Sequence, residues 1–388
     1  LINDPGFLTH DEELFKGRAM TYYGRWTYKF EEGARRGAAA VIIVHETEPA
    51  AYGWQVVRNS NSGPKTHLET PDHDMDRATL EGWMTMETAQ KLFKSAGLDY
   101  DKLRIDANKR GFKPVELKGI KLNAKLHSAI AHKVTRNVIG VILGTKNPGD
   151  YFLYTAHWDH LGVKPDVPGT DKIYNGAIDN ASGVSGILEI AEKFTHGPKP
   201  KRALAFVAVT MEEQGLLGSE YFATHPIVPP GQIVGGVNID AMSAEGHAHD
   251  MVLVGNGASE LEDTYADVLK AQHRVIAPDP EPEKGHYYRS DHFSLAHVGV
   301  PMLDPEGGYD LVVGGKEAGQ KVRDEYREKH YHQPSDEYDA NWDVSGPIDD
   351  LKVDYEVGRR LAHSDVWPNW RAGNEFRAIR DKSRAAGK

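Results

Sequence analysis

Apolar residues fall into two rhythms along the chain, and the change between them divides it. In the first block, "YKFEEGARRG" carries helical spacing and leads through a glycine into an apolar strand at Ala39–Val44. A second helix follows in "METAQKLFKSAGL", where Ala89, Leu92 and Phe93 share one face and Gly97 marks the stop. Residues 1–118 therefore predict a small α/β unit. The stretch "KRGFKPVELKGIKLNAKLHS" is polar and strand-like, and is expected to carry the chain into the second block.

From residue 119 onward, apolar strands recur at "NVIGVILG", "YFLYTA", "ALAFVAVT", "GGVNID", "MVLVGNG" and "VPMLD". Several are almost uninterrupted apolar runs, as expected of strands covered on both faces in a mostly parallel sheet. Helical patterns lie between them. In "SGVSGILEIAEKF", Val184, Ile187, Leu188, Ala191 and Phe194 form one apolar stripe. Residues 119–388 thus predict an α/β domain whose mixed, mostly parallel sheet is sandwiched by helices. No internal repeat or low-complexity tract interrupts either block.

Composition narrows the classes. A chain of 388 residues exceeds one ordinary core, in keeping with two domains. The net charge of -11, with no basic stripe bearing aromatics, argues against nucleic acid as a partner. No run approaches the roughly 20 apolar residues of a membrane span. Cysteine is absent, so a transition-metal site would draw on His, Asp and Glu. The 19 histidines make any one of them weak evidence. The opening "LINDPGF" reads as the end of a strand already under way, with neither Met nor a signal peptide, and predicts that further chain precedes it.

Candidate chemistry collects where the strands end, the side of an open α/β sheet on which ligands bind. After "YFLYTA" comes His157-Trp158-Asp159-His160; "NGAIDNASG" sets Asp179 ahead of a helix. After "ALAFVAVT" come Glu212 and Glu213, after "GGVNI" comes Asp240, and "KHYHQPSDE" supplies Tyr331 and His332. Singly, each has a bland reading. His157 alone would be a structural histidine, Asp179 a helix cap, Glu212-Glu213 a solvated turn and Asp240 a turn residue. Together they form an acidic set with no basic residue nearby in sequence, which would repel itself unless cations bound there. Carboxylates and imidazoles converging in this way are the donor set of a metal pair.

The motifs "HWDHLG", "GAIDNASG", "MEEQGLLGSEYF", "NIDAM", "RSDHFSLAHVGVP" and "YHQPSDE" resemble, in order, those of the M28 family of zinc aminopeptidases. The resemblance covers most of residues 137–340 and implies a zinc-peptidase fold. More loosely, "FEEGARRGAAAVIIVHE" resembles the protease-associated (PA) domain that members often carry inserted near the start of the catalytic domain. Carried over position by position, the pattern implies two zinc ions per chain. His157 and Asp240 would hold one, Glu213 and His332 the other, and Asp179 would bridge them. Asp159 would accept a hydrogen bond from the His157 ring, Glu212 would be the general base, and Tyr331 would donate to the developing oxyanion. His292 would line the mouth of the site. Arg289 is either a contact to the substrate carbonyl or a surface arginine or salt-bridge partner. His160 is expected to be structural, and His247 and His249 to lie in a polar loop.

The expected activity is hydrolysis of the N-terminal peptide bond of peptides with a free N-terminus, in a periplasmic or secreted enzyme. Three alternatives stay open. One is a carboxypeptidase or other amide hydrolase, another a single-zinc glutaminyl cyclase, and the third a non-catalytic receptor-like homologue. The preferred residue, the native metal and the oligomeric state are not encoded in readable form.

Overall fold

The computed structural model of the protein describes residues 19–386 apart from 51–52, 62–63, 72–74, 76 and 166–168. The opening "LINDPGF" lies outside the described residues. Two compact units form. One takes in residues up to Val134 together with Pro280–Tyr288, and the other Thr135–Asp279 and Arg289 onward. The join therefore falls later than the boundary expected at 118. Between Asp106 and Val138 there is no helix or strand. Ile120, Leu122, Leu126 and Ile130 are 37, 61, 70 and 85% exposed. The apolar alternation here fits a one-faced strand, but such a strand needs a ladder partner, and no described strand pairs with this stretch.

In the first unit, strands β1 (Ala40–His45) and β2 (Leu80–Thr85) run parallel, with Ala40 opposite Leu80 and His45 opposite Thr85. The helix Trp26–Arg35 precedes β1, and Trp26, Phe30 and Trp83 meet at ring separations of 6.0–6.1 Å. The helix Met86–Ser95 starts where the Thr85 hydroxyl accepts the Thr88 N–H at 3.2 Å, and Gly97 ends it in the left-handed region. Asp99 caps the helix Tyr100–Asp106 in the same manner. Glu46 then ties that helix back, accepting from the Tyr100 hydroxyl at 3.0 Å and pairing with Arg104 at 2.6 Å.

The second unit is built on a five-stranded sheet. Its strands are β3 (Val138–Ile142), β4 (Asn147–His157), β7 (Arg202–Val209), β8 (Ile233–Asn238) and β11 (Met302–Leu303), with β5 (Gly162–Val163) and β6 (Ile173–Tyr174) forming a short ribbon. The spatial order is β11-β8-β4-β7-β3, all neighbours parallel except β3 against β7. A smaller sheet sets β9 (Asp250–Leu253) between β10 (Val275–Pro278) and β12 (Pro305–Gly307).

Side-chain alternation sorts the sheet into two cores. Phe152, Tyr154, Leu204 and Phe206 point to one face, where they pack with Ile187, Phe194, Val353 and Val357 from the helices Gly183–Thr195 and Ser345–His363. Leu153, Ala205 and Val207 point to the other, against Phe222 and Leu295 from the helices Leu217–Thr224 and His292–His297. The sheet is thus covered on both sides, as its near-continuous apolar runs predicted. Only the strand ends and their loops are left for chemistry. No helix among the described residues is long and apolar enough to cross a membrane.

The fit of the helix Ser345–His363 on the sheet depends on Gly358. A Cβ there would collide with the Tyr154 hydroxyl and come within 2.7 Å of its Cζ. Tyr154 cannot yield, because it is fully buried and donates to the Asp354 carbonyl at 2.9 Å. Gly358→Ala, which in an open helix gains about 0.5–1 kcal/mol, is expected here to cost about 1–3 kcal/mol through overpacking. Urea denaturation should show the loss, and adding Tyr154→Phe should recover part of it.

Candidate metal centre

Strand register brings the donors together. Thr155 of β4 pairs with Asn238 of β8, and His157 with Val209 of β7. His157 at the end of β4 therefore stands abreast of Asp240, two residues beyond β8, and just short of Glu212 and Glu213 beyond β7. The backbone bends sharply at these ends. Met211 (φ 59), Ala241 (φ 54) and His332 (φ 57) occupy the left-handed region without being glycine. Such strain persists where the surroundings over-determine it, and here it clusters beside the donors.

Two groups result, sharing Asp179. In the first, His157 Nε2 lies 3.1 Å from Asp179 Oδ1 and 3.2 Å from Asp240 Oδ1. In the second, His332 Nε2 lies 3.3 Å from Asp179 Oδ2 and 3.2 Å from Glu213 Oε2. Asp179 thus turns one oxygen to each histidine. It sits in a turn ahead of the helix Gly183–Thr195, and its peptide bond to Asn180 is cis. Asp240 is held from behind by the Ser290 hydroxyl, which donates to its Oδ2 at 2.6 Å.

Glu212 and Glu213 are not the continuation of a strand. β7 ends at Val209, the chain reverses at Met211, and the Glu212 carbonyl accepts from Gly215 and Leu216 in a turn. The two carboxylates still part company. Glu213 enters the second group, while Glu212 keeps clear of both and lies within electrostatic reach of His157, Asp240 and Asp291. Among the described residues the Glu212 carboxylate makes no hydrogen bond. Its burial, with Asp240, Asp291 and Glu213 nearby and against the pull of His157, pushes its pKa well above the ordinary value.

Three expectations from the sequence change. The carboxylate of Asp159 does not orient the His157 ring, being 3.9 Å from Nδ1. The Asp159 carbonyl does so instead, accepting from Nδ1 at 3.0 Å, and the carboxylate accepts the Glu212 N–H at 3.0 Å. His292 does not line the mouth of the site. It is fully buried at the start of its helix, with Nδ1 3.2 Å from Asp304. His160, expected to be structural, stands among the donors, its Nδ1 2.6 Å from Glu213 Oε1. Of the rest, Tyr331 is half-exposed and stacks on His332 at 3.9 Å. Arg289 is partly buried, with its charge felt by Tyr331. His247 is exposed and pairs with Asp349 at 2.6 Å, away from both groups.

Residues unnoticed in the sequence hold this arrangement. Asp336 is 2% exposed and accepts the N–H groups of Ile178 at 2.9 Å and Asp179 at 3.1 Å. Its own carbonyl accepts from Ala177, and the Tyr326 hydroxyl donates to its Oδ2 at 3.2 Å. One side chain thereby locks the turn of Asp179 to the loop of His332. Asp291, wholly buried, has its pKa pushed up to about 7 by that burial, with Asp240 and Asp159 adding to it against His157. The signals were present in "YHQPSDE" and "RSDHF", but nothing in sequence says which carboxylate faces inward.

The donor set fits metal ions. The Asp159 carbonyl holds the proton on His157 Nδ1 and turns Nε2 toward two carboxylates, the orientation of a metal-bound imidazole. Burial disfavours a charged His157, yet Asp240 and Asp179 outweigh it and raise its pKa well above the ordinary value. His332 is raised likewise by Asp179 and Glu213, against burial. Asp179 is lowered, since its two histidines overcome the burial that would raise it. In each histidine a proton on Nε2 occupies the place where a cation would sit.

The sequence profile of peptidase family M28 matches residues 137–355, more than half of the chain. The chain belongs to peptidase family M28. Members of this family are zinc peptidases. The chain is 40% identical over 87 residues to a probable zinc metalloprotease of Pyrenophora teres f. teres (strain 0-1), covering 22% of this chain and 18% of that protein. It is 34% identical over 99 residues to aminopeptidase YwaD of Bacillus subtilis (strain 168), covering 25% of this chain and 19% of that protein. The chain thus spans about a fifth of the length of these curated relatives. Among solved structures, the aminopeptidase from Aneurinibacillus sp. strain AM-1 aligns over 87% of this chain and 66% of its own, with 19% identity and a TM-score of 0.47.

Two outcomes follow from this geometry. Asp336→Asn should leave one N–H at the Asp179 turn facing an amide N–H, costing about 1–3 kcal/mol by urea denaturation of the metal-free protein. Metal uptake should expel the protons on His157 and His332. Zinc affinity should therefore fall as pH is lowered, and titration calorimetry in two buffers of different ionisation enthalpy should register proton release.

Proposed function

We propose that this M28 peptidase removes N-terminal residues from peptides, using two zinc ions. His157, Asp179 and Asp240 would hold one and Asp179, Glu213 and His332 the other. The observation that carries this reading is the pair of contacts made by Asp179, whose Oδ1 faces His157 at 3.1 Å and Oδ2 faces His332 at 3.3 Å. A buried carboxylate shared between two imidazole–carboxylate groups suits two cations better than one. Zinc, when bound, supplies Lewis acidity that brings the pKa of a water down toward ~7 and polarises a carbonyl.

The chain's own groups would do the rest. Glu212, clear of the donors, takes the proton of the attacking water and passes it to the leaving amine. An upward-shifted pKa suits a carboxyl that must hold a proton between two transfers. Tyr331 would remain a proton donor, since desolvation and the Asp179, Glu213 and Glu212 charges push its pKa well above the ordinary value. Stacked beside His332, it would donate to the oxyanion that develops on the substrate carbonyl. The surplus of carboxylates favours a substrate with a free α-ammonium group, hence exopeptidase action from the N-terminus. The first unit, with its helix leading into β1 and parallel β2, is assigned on the same grounds of resemblance as a protease-associated domain.

The test pairs metal analysis with aminoacyl chromogenic substrates and their N-acetylated counterparts. Free substrates should be cleaved and blocked ones spared; equal cleavage of both, or trimming from the C-terminus, would overturn the assignment. Glu212→Gln should retain both metals and lose about 10²–10⁴-fold in kcat. Loss of a metal instead would mean that the two glutamates have exchanged roles.

A further inference from the structure

We propose that His160 is a fourth protein ligand of the second metal position, alongside Asp179, Glu213 and His332; this rests on the two-metal reading above. His160 lies three residues beyond His157, and its side chain is 7% exposed. Its Nδ1 approaches Glu213 Oε1 to 2.6 Å, yet no hydrogen bond joins them. Both ring nitrogens and Glu213 Oε1 are buried without a hydrogen-bond partner among the described residues. A histidine satisfied by hydrogen bonds would not look like this. A buried, unmatched polar atom is costly, and an imidazole nitrogen pressed on a carboxylate oxygen without an aligned proton suits two ligands that share a cation beside them.

Placement supports the assignment. Donor atoms of His160, Asp179 and Glu213 lie within 4.8 Å of one another. His160 and His332 address different oxygens of Glu213, Oε1 and Oε2, with their rings edge to face at 5.7 Å. The ring of His160 has little freedom, since a Cβ on Gly176 would come within 2.6 Å of its Cγ, and Gly176 itself has φ 63. The consequence is asymmetry. Four protein ligands are the complement of a closed zinc site, whereas the three at His157, Asp179 and Asp240 leave a position open. The second position would then bind metal more tightly and fill first, and the first would keep the open coordination position.

Substitutions in the full chain test this. Zinc titration calorimetry of the metal-free protein should show two sites, the tighter weakened by about 10–100-fold in His160→Gln. The chain contains no cysteine, so His160→Cys offers a second signal: loaded with cobalt(II), it should show a thiolate-to-cobalt charge-transfer band absent from the wild type. Proton NMR of the dicobalt wild type should show three exchangeable imidazole N–H resonances shifted by the metals, falling to two in His160→Gln. Two sites of unchanged affinity in His160→Gln, with no charge-transfer band in His160→Cys, would overturn the ligand assignment and leave the peptidase reading intact. A wild type that takes up no metal would overturn both.

Discussion

The site depends on one carboxylate placed between two imidazoles. Asp179 must be desolvated, correctly turned and ionised, and each requirement is met by a different part of the chain. Its burial is met in the turn that leads into the helix Gly183–Thr195, where it is 5% exposed. Its direction comes from Asp336, which grips the backbone N–H groups of Ile178 and Asp179. Its charge is kept by His157 and His332, which hold its pKa down in spite of burial. Because Asp336 belongs to the loop that also carries His332, the turn and the loop cannot move apart without losing these bonds. Placing Asp179 and placing His332 is therefore a single structural act.

Electrostatics explains why so acidic a cluster holds together. Asp159, Asp179, Glu212, Glu213, Asp240 and Asp291 converge on His157, His160 and His332. Without cations the group relies on protons, and the shifts record this. The histidines His157 and His332 are pulled up, while Glu212 and Asp291, which have no hydrogen-bonded base, are driven toward their neutral forms. Divalent cations would replace those protons with charges that the carboxylates can match.

What the sequence disclosed follows from which features are periodic. The apolar runs revealed a sheet covered on both faces, and with it the rule that donors gather at the strand ends; His157, Glu213 and Asp240 stood out on that basis, and His332 by its motif alone. Three kinds of information were not. Backbone path was one, since only the fold shows that the Asp159 carbonyl, not its carboxylate, reaches His157, and that Met211 bends the chain before Glu212. Helix phase was another, because His292 begins a helix whose first turn is buried, so a residue in the right motif lies beneath the site. Long-range pairing was the third. Asp336 meets Asp179 across more than 150 positions, and the alternation at 119–126 promised a strand for which no described partner exists.

The hold on Asp240 shows how a buried polar chain can be directional. The Thr155 hydroxyl donates to Asn238 Oδ1 at 2.7 Å, Asn238 Nδ2 donates to Ser290 Oγ at 2.7 Å, and Ser290 donates to Asp240 Oδ2 at 2.6 Å. Asn238 also donates to Asp304, which faces His292. An amide nitrogen cannot accept, so the Ser290 proton has only one place to go, and the carboxylate at the end must accept it. Asp240 is left with Oδ2 occupied and Oδ1 free to face His157. His292 and Asp304, buried under the site instead of lining it, thus act on Asp240 at a distance: they fix Asn238, Asn238 fixes Ser290, and Ser290 selects which oxygen of Asp240 is presented. Low dielectric strengthens each bond of such a chain, so the run from Thr155 to Asp240 is held firmly where the central strands β4 and β8 end.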